Sequence, residues 1–133
     1  MIEVATLILE NEKGDILMYL RDNKDTIPFP NCWDLFGGHI ENDESLEEAL
    51  KREIKEELGI ELKDFHFFKE YKCLKGDANP NIKYVYYSKL QKPIGKTTLE
   101  GQQMRFISPS EIPSIKIANI LKNIILDYLE FKK

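Results

Sequence analysis

The segment from Gly38 to Ile60 constrains this chain more than any other. It holds eight acids (Glu41, Asp43, Glu44, Glu47, Glu48, Glu53, Glu56, Glu57) and three bases (Lys51, Arg52, Lys55). Asp43 or Ser45 can cap a helix that runs to Leu58 and stops at Gly59, a suitable C′ position. On a wheel at about 100° per residue, Glu53, Glu56 and Glu57 share an arc of roughly 100°. Leu46, Ala49, Leu50, Ile54 and Leu58 form the apolar stripe beside or under that arc. Lys51, Lys55, Glu48 and Arg52 take the opposite side. An ordinary solvated face would place its acids opposite the leucines. Here Glu53 and Glu57 stand on or beside the apolar arc instead.

Crowded carboxylates at the edge of a core need protons or a cation. Two of them about 5 Å apart repel by roughly 3 kcal/mol at an effective dielectric of about 20. Hard divalent ions with oxygen ligands fit such a set best, Mg²⁺ or Mn²⁺, leaving positions for water and phosphate oxygens. Arg52, one turn before Glu56, is placed to orient it. Gly37 and Gly38 just upstream let a backbone approach a ligand closely, although a glycine pair alone would mark only a tight turn.

The rest of the chain reads as one domain spanning residues 1–133. Its 133 residues, 42% hydrophobic and 32% charged, can enclose a core. The formal charge of −4 comes entirely from the acidic segment, which carries −5 and leaves +1 for the remainder. That balance excludes a broad positive surface for a long nucleic acid. Cys32 and Cys73 show no metal or disulfide spacing, so two reduced thiols and a cytoplasmic location are expected. The apolar run Val4–Leu9 is too short for a signal or membrane segment, and no membrane partner is expected.

Residues 2–9 and 15–21 read as a hairpin turning near Gly14. A proline-containing loop follows, then a short strand WDLF ending at Gly37–Gly38. After the acidic helix, residues 61–74 and 82–91 alternate as strands, and MRFIS is a last short strand. Pro109–Ile112 starts a helical turn. From Ser114 onward, Ile117, Ile120, Leu121, Ile124 and Tyr128 recur at three and four, the pattern of a closing amphipathic helix. Strands interleaved with two helices indicate an α/β or α+β sandwich on a mixed sheet. The closing helix packs on the core or serves a dimer, so the chain is expected to be a monomer or homodimer.

The run from Gly38 to Ile60 matches every specified position of the Nudix box, GX5EX7REUXEEXGU with U aliphatic. The flanking WDLFGGHIE, the EGQQMRF segment and the terminal helix are similar to MutT-like members, and together they cover nearly the whole chain. Phe36 departs from the proline often found before the two glycines. The resemblance implies the Nudix fold, an α/β/α sandwich in which the box forms a loop–helix–loop. It implies Mg²⁺-dependent hydrolysis of a nucleoside diphosphate linked to another moiety. Glu53, Glu56 and Glu57 would be the metal-binding carboxylates, with the Gly37 carbonyl a further ligand. Glu53 and Glu56 are then catalytic residues, and Glu100 is the acid supplied from outside the box, as metal ligand or base. Glu44 and Arg52 would support the loop and helix.

For substrate contacts the sequence offers Arg21 at a strand end, Phe29 in the proline-flanked loop, Gly38, His39 beside it, and Tyr84 on an alternating strand. Each has an ordinary alternative: a solvated arginine, a tight turn or a core aromatic. A small-molecule nucleotide is the expected partner, a nucleoside triphosphate, oxidised ones included, ahead of nucleotide sugars and ADP-ribose. Two rivals stand beside it. One is a catalytically silent nucleotide sensor, which has no need of all three glutamates. The other is a hydrolase of RNA 5′ ends, which the sparse basic charge disfavours.

Overall fold

The computed structural model describes residues 1–74, 79–91, 94, 101–118 and 120–133. Among the described residues seven strands form one sheet: β1 (Ile2–Glu10), β2 (Ile16–Leu20), β3 (Trp33–Asp34), β4 (Phe36–His39), β5 (Phe65–Cys73), β6 (Asn81–Lys89) and β7 (Gln103–Ile107). Helix α1 (Leu46–Leu58) and helix α2 (Leu121–Phe131) accompany them, with a 3₁₀ turn at Ile112–Ser114. The main strand order is β3-β2-β1-β6-β5, with β4 paired to β1 and β7 to β2. The sheet is mixed: β1 and β6 run parallel, and the other pairs are antiparallel. No helix among the described residues is long and apolar enough to cross a membrane.

Alternation along the strands divides the core between two faces. On one face Ala5, Leu7, Leu9, Leu17, Phe36 and Tyr86 meet Leu50, Ile54 and Leu58 of α1. On the other, Ile8, Ile16, Met18, Val85 and Ile107 meet Leu121, Ile124, Ile125 and Tyr128 of α2. The result is the α/β/α layering expected from the sequence. Its α2 side is tied down at the far end of β1 by a buried carboxylate: Tyr128 Oη and Lys132 Nζ both donate to Glu10, which is 1% exposed.

Two expected elements differ. The strand expected over WDLF is two strands, broken at Leu35: Trp33–Asp34 pairs with β2 and Phe36–His39 with β1. The two glycines therefore lie inside a strand instead of at its end. The terminal helix starts at Leu121, seven residues later than its apolar period suggests. Residues just before it are held extended by Trp33, whose N–H donates to Lys116 O at 2.8 Å and whose carbonyl accepts from Ala118 N at 2.9 Å. A partner more than eighty positions away outweighs local periodicity there.

Candidate active site

Helix α1 is fixed at both ends by local chemistry. Ser45 is the N-cap: its hydroxyl accepts from Glu48 N at 3.1 Å, while the Glu48 carboxylate accepts from Ser45 N at 2.9 Å. Gly59 ends the helix in the left-handed region at φ 66°. Between these points Ala49, Leu50, Ile54 and Leu58 are buried, which fixes the rotation of the helix and therefore the direction of its carboxylates. Glu53 and Glu57 are half-buried, and Glu56 is exposed.

The first two press against β4. Glu57 Oε1 accepts from Gly37 N at 3.3 Å. A Cβ placed on Gly38 would lie 2.4 Å from Glu53 Cδ. Gly37 is equally confined, with Ala5 O 2.1 Å from where its Cβ would stand and φ at 150°. A pair of residues without side chains is what brings this strand onto the carboxylates.

Arg52 joins the loop before the helix to the helix itself. Its Nε and Nη2 donate to the Glu44 carboxylate at 2.6 and 3.0 Å, and Nη2 also reaches His39 O at 3.2 Å. Nη1 donates to Glu53 Oε1 at 2.9 Å and lies 3.6 Å from Glu56 Oε2. The Arg52 hydrogen bonds hold the Glu44 carboxyl below the usual glutamate range. Glu53 moves the opposite way: burial raises its pKa, with the Arg52 guanidinium partly offsetting that rise.

Among the described residues, no three carboxylate, histidine or cysteine groups converge as they would around a bound ion. The donor chemistry nonetheless fits a hard divalent cation: three carboxylates within two turns of one helix, two of them against the Gly37–Gly38 backbone, with no nitrogen or sulfur ligand among them. Glu100 lies outside the described residues.

Gly37 and Gly38 also line a cleft of about 330 Å³ on the α2 side of the sheet. Arg21, Phe29 and His39 line it too, so four of the five residues suggested for substrate contact are gathered in one place. Tyr84 is not among them. It stands opposite Ala5, on the α1 face, and its hydroxyl donates to Glu3 at 2.8 Å. Its even-numbered position on β6 puts it on the wrong side of the sheet.

Arg21 is anchored: Nη1 donates to Asp34 Oδ2 at 3.0 Å and Nε to Pro28 O at 2.9 Å. The second bond steadies the loop that carries Phe29, itself held at φ 49°. Asp34 also accepts from Leu35 N at 2.7 Å and from the Tyr19 hydroxyl at 3.4 Å. Burial raises the Asp34 pKa, and Arg21 counteracts it.

Sequence reasoning missed Asp34, Asn81 and Lys83 in this cleft. The signals were present, an acid inside an apolar WDLF run and polar residues at period two on β6. Which face they occupy depends on strand register.

A mixed sheet between two helices, with a carboxylate-bearing helix seated on a glycine strand, defines an α/β/α sandwich. The NUDIX domain family model matches residues 2–128, and the chain belongs to that family. Members of the family generally use divalent metal ions.

Nucleoside triphosphatase NudI of Escherichia coli O139:H28 is 42% identical over 55 residues, which cover 41% of this chain and 38% of that protein. The chain thus matches well under half the length of these curated relatives. The MutT protein from Methanosarcina mazei Go1 has a similar structure, with TM-score 0.83 and 22% identity over 99% of this chain and 95% of that one. The NUDIX domain of Shewanella oneidensis NrtR, solved with ADP ribose, has TM-score 0.83 and 17% identity over 100% of this chain and 89% of that one. The ORF135 protein of E. coli has TM-score 0.78 and 25% identity over 99% and 91%.

Proposed function

We propose that this protein hydrolyses the pyrophosphate linkage of a nucleoside triphosphate, oxidised ones included, with Mg²⁺ as cofactor and Mn²⁺ able to replace it. The observation that carries the reading is the double contact of Gly37–Gly38, with the α1 carboxylates on one side and a nucleoside-sized cleft on the other. The difficulty of the reaction is water attacking a polyanion from a site that is itself anionic. Bound divalent ions supply the missing positive charge and lower the pKa of a coordinated water.

Glu53, Glu56 and Glu57 hold the ions in this reading, with the Gly37 carbonyl as a further ligand. Glu53 suits a second role. Its carboxylate stands against Gly38, which lines the cleft, so it is placed to accept the proton that the attacking water gives up. Glu100 is the other candidate for that proton. Arg52 and Glu44 act as positioning residues by holding the loop and the Glu53 carboxylate in place. His39 and the Gly38 backbone meet the phosphates, Arg21 borders them, and Phe29 faces the base. Cys32 and Cys73, two buried thiols outside any disulfide, suit a reducing cytoplasm.

ADP-ribose is the second substrate reading, favoured by the likeness to the NrtR domain that binds it. A panel of nucleoside triphosphates, nucleotide sugars and ADP-ribose, with Mg²⁺ and product identification, separates the two. Triphosphates are expected to yield a nucleoside monophosphate and pyrophosphate. Turnover confined to ADP-ribose or nucleotide sugars overturns the triphosphate assignment.

A further inference from the structure

Three residues cross the cleft floor in one row. Val4 of β1 pairs with His39 of β4 on one side and with Lys83 of β6 on the other. Directly paired residues share a sheet face, and all three line the cleft. His39 and Lys83 therefore stand two strand spacings apart, about 10 Å. His39 adjoins the glycines and the carboxylate helix, so Lys83 marks the opposite end of the floor.

Lys83 is held there. Its Nζ donates to Asn81 Oδ1 at 2.8 Å, and Asn81 Nδ2 donates to Asn79 O at 2.9 Å, so a carboxamide relay fixes the ammonium against the sheet. Apolar groups supply the surfaces between the two ends: Val4 and Ile2 on the floor, Phe29, Ala118 and Leu121 on the other wall. Phosphate chemistry at one end, apolar walls in the middle and a fixed hydrogen-bond donor at the far end match the span of one nucleotide.

We propose that Lys83, positioned by Asn81, determines base specificity by donating to an exocyclic carbonyl oxygen of the nucleobase. An ammonium donates three hydrogen bonds and accepts none. It therefore suits a base with an exocyclic carbonyl at its far edge, guanine or uracil, and is mismatched to the exocyclic amino group of adenine. The inference rests on the reading that a nucleotide occupies this cleft.

The test uses equilibrium binding of nucleoside monophosphates in the presence of Mg²⁺, which requires no turnover and is independent of whether the protein hydrolyses anything. GMP and UMP are expected to bind about ten- to a hundredfold more tightly than AMP. Lys83→Met should abolish the preference of the protein for GMP and UMP over AMP, and Lys83→Arg should retain it. Equal binding of AMP, GMP and UMP to the unaltered protein overturns the proposal, as does absence of binding by all three. A preference that persists in Lys83→Met, with its thermal unfolding unchanged, also overturns it.

Discussion

Gly37 and Gly38 are adjacent, yet a methyl group would do different things at each. At Gly38 it meets the carboxylate end of Glu53, a group on a flexible side chain. At Gly37 it meets the main chain of Ala5 and Thr6 in a backbone conformation that L side chains rarely adopt. Gly38→Ala is therefore predicted to fold with less than about 1 kcal/mol lost, while displacing Glu53 and with it the activity. Gly37→Ala should lose more than about 2 kcal/mol, because β4 must leave β1. Urea denaturation of both variants, set beside their turnover, checks the contrast, and equal stability losses would contradict it.

Glu44 supports a pH prediction at the same scale. Its folded pKa lies below the ordinary value because Arg52 binds the ionised form. Such a group stabilises the fold above its unfolded pKa, near 4.3, and the contribution disappears as pH falls through the lower folded value. The melting temperature of the wild type should exceed that of Glu44→Gln at pH 7, with the gap closing in acid. A gap that widens as pH falls would contradict the clamp.

At the scale of elements, α1 was legible because its instructions are local: a capping box at Ser45 and Glu48, a leucine stripe, and a terminating Gly59. Ser45→Ala should therefore destabilise the protein by about 1 kcal/mol. The start of α2 was not legible. Ile117 continues the apolar period, but its backbone pairs with Trp33 instead of entering the helix. The break at Leu35 has a similar cause, since β3 and β4 belong to different partners. The far end of α2 depends on the same kind of distant contact, the Tyr128 and Lys132 bonds to buried Glu10. Tyr128→Phe is expected to cost about 1.5–3 kcal/mol, because a buried carboxylate loses a donor. A loss below about 0.5 kcal/mol in urea unfolding at pH 7 would show that the bond is dispensable.

At the scale of the molecule, the acidic balance acquires a location and a purpose. The charge of −4 is concentrated on the face of α1 and in the loop before it. The cleft on the other side of β4 carries Arg21, His39 and Lys83 with one acid, Asp34, paired to Arg21. The carboxylate side of this arrangement was readable from spacing alone, because Glu53, Glu56 and Glu57 lie within two turns of one helix. The cleft side was not, since Lys83 reaches the cleft only through the parallel register of β6 on β1, and Tyr84 is excluded by that same register.

The central claim is that the α1 carboxylates hold divalent metal for pyrophosphate hydrolysis. Its most direct test is turnover of a nucleoside triphosphate during Mg²⁺ titration, for the wild type, Glu56→Gln and Glu57→Gln. Wild-type activity should depend wholly on the ion, and each variant should fold normally while losing at least about a hundredfold in turnover. Full activity of both variants, or wild-type turnover that persists in excess chelator, would contradict the claim.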